Sequence, residues 1–126
     1  MAVTLKKIQR KNPLNPALSK WYLTQESAGS VGLTEIAKEI EGRSALSLGD
    51  VQSVLSNLME VMPLFLKLGQ SVKLEGFGIF RVTVSSDGTA TPDELNARHI
   101  KGVKLVFLPS VELKRNLGDI AYEVMQ

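Results

Sequence analysis

The sequence predicts an α+β domain: two helices, three antiparallel strands and a closing helix, preceded by an extended N-terminal segment. Apolar residues recur at helical spacing through residues 33–65, and they alternate with other residues from Val72 onward. Glycines mark the points at which the pattern changes. The chain has 126 residues, of which 44% are hydrophobic and 22% charged, and this composition is typical of one globular domain with a short appendage.

Residues 1–30 are predicted to form an extended segment or a hairpin. Residues 3–11 alternate imperfectly between apolar and basic side chains, and two Asn-Pro steps in residues 12–20 predict a loop. The stretch WYLT at 21–24 is rich in strand-forming residues and predicts a short second strand. Residues 27–32, SAGSVG, would link this segment to the first predicted helix.

Two amphipathic helices are predicted next, and we expect them to pack as an αα-hairpin. The first covers residues 33–43, where apolar side chains recur on one helical face. The second begins after Ser47, whose hydroxyl can cap free amide groups, and Asp50 is placed to complement the positive end of this helix. Its apolar stripe runs over residues 51–65, and Gly69 is a suitable residue for its C-terminal end.

Three strands come next, each with one apolar face, and they predict an antiparallel sheet. Their alternating stretches cover residues 72–75, 80–85 and 103–108. The last two are separated by an excursion, 85–102, in which a Thr-Pro-Asp-Glu stretch predicts a helix start. A short closing helix is predicted over 109–118. The apolar face of the sheet is wider than two short helices can cover, which indicates burial against a second copy of the chain.

The stretch KLEGFGIFRV places Gly76 and Gly78 on either side of Phe77. A phosphate-binding loop of the dinucleotide type would need a third glycine and a helix after it, but position 81 is arginine and the next element is a strand. The two glycines are therefore predicted to form a structural turn that points Phe77 inward.

The side chains argue against an enzyme. The chain has no cysteine, and its one histidine, His99, lies in the excursion without partners for nucleophilic or metal chemistry. We therefore predict no catalytic residue, no metal, no cofactor and no small-molecule substrate, and a phosphate-binding enzyme is the least favoured alternative. No apolar run is long enough to span a membrane and the N-terminus lacks the pattern of a secretory signal, so a cytoplasmic location is expected.

Positive charge is concentrated in two places. Residues 1–31 carry five basic side chains and one acidic one, a net charge of +4, whereas the other 95 residues carry a net charge of −2. In the sheet, the two-residue period sends Lys73, Arg81 and Lys104 to the face opposite the apolar one. Such a face suits phosphate contacts, although an ordinary solvated sheet face carries similar charges.

Two separated motifs resemble the HU and integration host factor family of bacterial histone-like DNA-binding proteins. The first is SVKLEGFGIFRV, with its Gly-Phe-Gly-x-Phe turn at 76–80, and the second is the pattern Phe107-x-Pro109-x-x-x-Leu113-Lys114. The likeness covers residues 31–118. The added basic segment 1–30 resembles the extension of longer HU-related proteins from Bacteroides-like bacteria, and 119–126 would be a C-terminal tail.

This resemblance implies an intertwined homodimer in which Phe77, Phe80 and Phe107 pack in the shared core. It also implies that residues 85–102 form a β-ribbon arm, which in the family embraces the minor groove and wedges a proline between base steps. The chain departs from the family here, because the arm contains three acidic residues and only two basic ones, Arg98 and Lys101. The sole arm proline, Pro92, lies beside those acids, where a helix start is favoured over insertion into DNA.

We expect a nucleoid-associated protein that binds double-stranded DNA as a homodimer, mainly through phosphates and with little base specificity. The alternative is an HU-fold dimer that has lost general DNA bending and acts as a structural or protein-interaction module. The basic N-terminus would supply phosphate contacts that the arms have lost. Pro13 would be either a wedge inserted between base steps or an ordinary loop proline. The residues predicted to contact DNA are Lys6, Lys7, Arg10, Lys11, Lys73, Arg81, Arg98, His99, Lys101 and Lys104.

Overall fold

The structure, a computed structural model, describes residues 2–126, so Met1 of the predicted N-terminal segment lies outside the described residues. The chain divides into two compact units. One unit is Leu33–Asn116, and the other combines the preceding segment, up to Gly32, with Leu117–Gln126. We call them the helical unit and the N-terminal unit.

The N-terminal unit contains a long hairpin, β1 (Val3–Asn12) and β2 (Asn15–Gln25). The prediction of a loop through residues 12–20 was wrong, because the turn occupies only residues 13–14 and β2 begins immediately after it. Asn12 explains the tight turn, since its Oδ1 accepts the backbone N–H of Leu14 at 2.9 Å. The second Asn-Pro step lies within β2, which is an edge strand and therefore tolerates a proline.

A third strand of the N-terminal unit comes from the other end of the chain. The sequence predicts a tail over 119–126, but the structure has β6 (Tyr122–Val124), which pairs in parallel with β1 from Val3 to Leu5. The sheet order is β2-β1-β6. A strand of three residues is too short to produce a recognisable alternation, and its partner lies more than a hundred residues away, so the sequence pattern could not reveal it.

The helical unit begins with the two predicted helices, α1 (Leu33–Glu41) and α2 (Leu48–Leu66), which pack against each other. The capping box at the start of α2 is confirmed: the Asp50 N–H donates to Ser47 Oγ at 3.1 Å, and the Ser47 N–H donates to Asp50 Oδ2 at 3.4 Å. The predicted end is confirmed as well, because Gly69 has a φ of +82° and its N–H bonds the Leu66 carbonyl at 3.0 Å.

The three predicted strands of the helical unit form the expected antiparallel sheet. They are β3 (Val72–Leu74), β4 (Gly78–Ser86) and β5 (Ile100–Pro109), in the order β3-β4-β5. The closing helix, α3 (Val111–Asn116), is shorter than predicted, and Ser110 caps it by accepting the N–H of Leu113 at 3.0 Å.

The excursion between β4 and β5 is compact rather than fully extended. β4 and β5 pair as far as Ser86 and Ile100, and the residues between them include two short 3₁₀ turns, Pro92–Glu94 and Ala97–His99. Pro92 is the first residue of a helical turn, as predicted from the Thr-Pro-Asp-Glu stretch. That turn covers three residues and does not continue as an α-helix.

Candidate nucleic-acid interface

The Gly-Phe-Gly turn shapes the sheet of the helical unit. The N–H of Phe77 bonds the Leu74 carbonyl at 2.9 Å, and Gly76 between them has a φ of +79°, as the third position of a type II turn requires. Gly78 is needed for a different reason: a Cβ there would lie 2.5 Å from the Leu108 carbonyl oxygen and 2.6 Å from a ring carbon of Phe107. The structural interpretation of both glycines is therefore supported by the geometry.

The three phenylalanines that the resemblance places in a dimer core form one cluster. The ring centroids of Phe80 and Phe107 are 4.7 Å apart, and Phe77 lies 5.4 Å from Phe107 and 6.3 Å from Phe80. Phe77 and Phe107 nevertheless remain 45% and 38% exposed. The three rings thus pack against one another, but two of them stay partly exposed to solvent.

The apolar surface continues beyond the phenylalanine cluster. Toward the far end of β4 and β5, Val84 and Val103 are paired across the strands and largely exposed. Together with the C-terminal end of α2, they line an apolar groove of about 510 Å³ that also includes Pro63, Leu66 and Val82. Among the side chains whose burial the structure describes, only Ala37 and Val51 are buried hydrophobic ones.

The opposite face of the sheet carries the predicted cations. Arg81 pairs with Val106, and the next pair is Thr83 with Lys104, so Arg81 and Lys104 are diagonal neighbours on one face. Lys73 joins them because it pairs with Ile79 on the same side. The three cations are exposed, and Val106 and Leu108 lie among them. The structure therefore brings these cations to one face.

Lys73 differs from the other two cations in its surroundings. It lines a groove of about 410 Å³ in which Glu75 and Glu112 also lie. Two carboxylates in the same groove reduce the local positive potential. The more positive part of the face is therefore around Arg81 and Lys104.

The cations of the excursion are partly occupied by local contacts. Lys101 Nζ lies 3.3 Å from Asp87 Oδ1, and both side chains are exposed. The Nδ1 of His99 lies 3.2 Å from the backbone nitrogen of Asn96, which holds the imidazole against the second 3₁₀ turn. Arg98 remains exposed, with only a long contact of 3.5 Å from its Nε to Asn96 Oδ1.

The four predicted cations of the N-terminal unit are divided between two faces of its sheet. Successive strand residues point to opposite faces, so Lys6 and Arg10 share one face and Lys7 and Lys11 the other. Lys6 forms an ion pair with Glu26 at 3.2 Å, and the guanidinium of Arg10 lies 5.8 Å from the ring centroid of a tyrosine on the neighbouring strand. Pro13, for which the sequence left open a wedge or an ordinary loop proline, lies in the β1-β2 turn.

The sequence interpretation did not assign a function to Trp21 or Lys20. Trp21 lies directly opposite Gln9, on the face that carries Lys7 and Lys11, and is 67% exposed. Lys20 lies opposite Arg10, beside the turn. The hairpin register was the missing signal: Trp21 lies in the strand predicted at 21–24, but the pattern did not show which β1 residues it faces, and the loop predicted for 12–20 excluded Lys20 from that strand.

Within residues 2–126, no helix is long and apolar enough to cross a membrane, and no cluster of three or more His, Asp or Glu side chains is placed to hold a metal ion.

The helix pair, antiparallel sheet and closing helix define an HU-like unit, to which a small N-terminal sheet is added. Over residues 1–123 the chain matches the HU-HIG family, described as an HU domain fused to a winged helix-turn-helix, immunoglobulin or glycine-rich motif. The chain belongs to this family. The resemblance that the two sequence motifs indicate is thereby confirmed, as is the α+β class; the intertwined homodimer stays a prediction.

Two solved structures are similar to the chain. One is a proposed bacterial DNA-binding protein from Bacteroides vulgatus, with a TM-score of 0.71 at 13% identity over 98% of this chain and 48% of that one. The chain thus spans about half the length of the Bacteroides protein. The other is Anabaena HU from a cocrystal with DNA, with a TM-score of 0.55 at 14% identity over 71% of this chain and 99% of that one. At these identities the likeness is one of fold. No curated protein matches the chain.

Proposed function

We propose that the chain binds double-stranded DNA as a homodimer, as an architectural protein of the bacterial nucleoid and thus of the cytoplasm. Contacts to phosphates supply most of the affinity, and base specificity is low. The observation that carries the proposal is the exposed cation face of the HU-like sheet, formed by Lys73, Arg81 and Lys104. Membership of the HU-HIG family supports it.

Arg98, His99 and Lys101 extend the proposed surface along the excursion. The N-terminal cations Lys6, Lys7, Arg10 and Lys11 add phosphate contacts, since their strand carries no acidic residue. Lys101 and Lys6 contribute less than an isolated lysine, because each is engaged with a carboxylate.

The test is a binding titration of the full chain with random-sequence duplex DNA at two salt concentrations. The log of the association constant should fall linearly with the log of the salt concentration, by roughly 0.9 per phosphate contact. Substituting alanine for Lys73, Arg81 and Lys104 together should flatten this slope by up to roughly 2.7. Lys38→Ala, a matched lysine on α1, should leave it unchanged.

A second candidate function is a structural or protein-interaction module that retains the dimer but has lost general DNA bending. The observation in its favour is the acidic character of the excursion, where Asp87 is paired with Lys101 and the first 3₁₀ turn contains Asp93 and Glu94. The same titration separates the two. Absence of salt-sensitive binding at micromolar protein would reject DNA binding and leave this second function.

A further inference from the structure

One face of the N-terminal sheet combines a large exposed aromatic ring with free positive charge. Trp21 pairs with Gln9, and its neighbours on either side are the pairs Lys7–Leu23 and Lys11–Ser19. Both lysines are therefore diagonal neighbours of Trp21 on the same face, at a typical distance of roughly 7–8 Å. The indole, at 67% exposure, lies between two cations.

Two of the three cations on the opposite face are engaged by neighbouring side chains. Lys6 is paired with Glu26 and Arg10 lies over Tyr22, while Lys20 lies across the strands from Arg10. Within residues 2–126, neither Lys7 nor Lys11 forms an ion pair. Their charges are available to an anionic ligand, and the paired positions on β1 and β2 around them carry no carboxylate.

Hydrogen-bonding capacity lies next to the indole. The Gln9 Nε2 donates to Ser19 Oγ at 2.8 Å, which holds the amide beside Trp21. The amide oxygen and the second N–H of Gln9 stay available, because an amide group offers two donors and one acceptor with two lone pairs. A flat ring, two free cations and an oriented amide together match a ligand that has planar bases and a phosphate backbone.

We propose that this face of the N-terminal sheet binds single-stranded DNA, with a base stacked on Trp21 and phosphates bound by Lys7 and Lys11. In duplex DNA the faces of the bases are stacked on one another, so the indole needs unpaired bases. This proposal rests on the DNA binding proposed above, in which Lys7 and Lys11 contact phosphates. It adds a second class of ligand, unpaired strands, whereas the cation face of the helical unit needs only the phosphates of duplex DNA.

The test uses the natural fluorescence of Trp21, which is the one tryptophan in the chain. The full chain is titrated with an oligothymidylate of about 12 nucleotides. Stacking should quench the emission, whereas an abasic oligonucleotide with the same number of phosphates should bind more weakly and quench little. No quenching, or equal affinity for the abasic strand, would overturn the stacking contact.

Variants separate stacking from charge. Trp21→Ala should weaken binding of a labelled oligothymidylate roughly 5- to 150-fold, and Trp21→Phe, which keeps a ring, should retain most of the affinity. Lys7→Ala and Lys11→Ala should each lower the log–log salt slope by roughly 0.7, while Lys38→Ala should not. Circular dichroism checks that each variant is folded, and unchanged binding by a folded Trp21→Ala contradicts the proposal.

Two other occupants give distinct results. If a second copy of the chain covers this face, the emission of Trp21 should change with protein concentration before any oligonucleotide is added, across a range in which circular dichroism shows the chain to be folded throughout. If RNA is the ligand, a uridine strand of the same length should bind more tightly than the thymidine strand; either result would overturn the assignment to single-stranded DNA. Binding of duplex DNA is measured in parallel. If the chain does not bind the duplex but the oligothymidylate still quenches Trp21, the proposed duplex binding is wrong and the single-strand site stands.

Discussion

At the scale of single residues, the turn between β3 and β4 needs two glycines for two different physical reasons. Gly76 supplies a positive φ, which side chains with a Cβ adopt at a cost, whereas Gly78 combines a φ of +159° with a lack of space for a Cβ. The sequence pattern predicts a turn there, but it does not distinguish these reasons. The distinction depends on the pairing of β4 with β5, which brings Phe107 and Leu108 against Gly78.

We predict that Gly78→Ala lowers the free energy of unfolding by about 1–3 kcal/mol, because the new methyl group would overlap backbone and ring atoms and because alanine rarely adopts a φ of +159°. Gly88→Ala is the matched control, since nothing lies within 4 Å of a Cβ at that position. Urea denaturation at fixed protein concentration measures both. A loss for Gly78→Ala no larger than for Gly88→Ala would show that neither the overlap nor the backbone conformation of Gly78 matters for stability.

The three cations of the sheet face should not contribute equally to DNA binding. Arg81→Ala and Lys104→Ala should each lower the salt slope of duplex binding by about 0.9. Lys73→Ala should lower it by less, because Glu75 and Glu112 lie in the same groove and weaken its attraction for phosphate. Titrations of the three single variants with duplex DNA at matched salt concentrations measure these slopes. If Lys73→Ala lowers the slope most, the two carboxylates do not weaken the contact of Lys73 with phosphate.

At the scale of elements, the boundaries of α2 were the best-predicted features. Ser47 and Asp50 form the capping box that their spacing predicts, and Gly69 ends the helix with the expected positive φ. We predict that Ser47→Ala costs about 1 kcal/mol of unfolding free energy, because the N–H of Asp50 loses its acceptor. Chemical denaturation measures the loss. Ser56→Ala, within α2, should cause none, since alanine favours the helix interior.

The N-terminal unit shows where sequence patterns stop being informative. The two amphipathic helices and the three alternating strands could be predicted because each has a period that local residues reveal. The β1-β2 register and the parallel pairing of β6 depend on contacts between residues that are distant in the sequence. The two Asn-Pro steps led to a predicted loop where the structure has a two-residue turn and a strand. Consequently the cation face around Arg81 was predictable from alternation, whereas the grouping of Trp21 with Lys7 and Lys11 was not.

The excursion gives a prediction about charge. Asp87 engages Lys101 at 3.3 Å and adds negative charge at the base of a segment that would approach DNA in the proposed complex. Asp87→Asn should therefore tighten binding to random duplex DNA and steepen the salt slope by up to about 0.9, since Lys101 becomes available to a phosphate. Glu41→Gln, at the end of α1, is the control for the change in net charge alone. Equal gains for both variants would mean that the position of the charge is unimportant.

At the scale of the whole molecule, the described chain buries very little of its apolar surface. Ala37 and Val51 are the only buried hydrophobic side chains among those whose burial the structure describes, while Val84, Val103 and Leu105 are each more than half exposed on one face of the sheet. Stable monomers rarely leave a contiguous apolar face of this kind in water. A second copy that covers the phenylalanine cluster and the groove beside α2 would remove it, which is why we propose an obligate homodimer.

The last prediction is that folding and dimerisation are one process. Phe80→Ala should lower the free energy of unfolding by about 3–5 kcal/mol and shift sedimentation toward the monomer, because the ring packs against Phe107 in a cluster that the partner is expected to complete. The unfolding midpoint should rise with protein concentration, as it does when only the dimer is stable. Leu14→Ala, at an almost fully exposed position of the hairpin turn, should change neither quantity. A folded monomer in sedimentation, with a midpoint independent of concentration, would show that the exposed apolar face is tolerated and that the partner is not needed for folding.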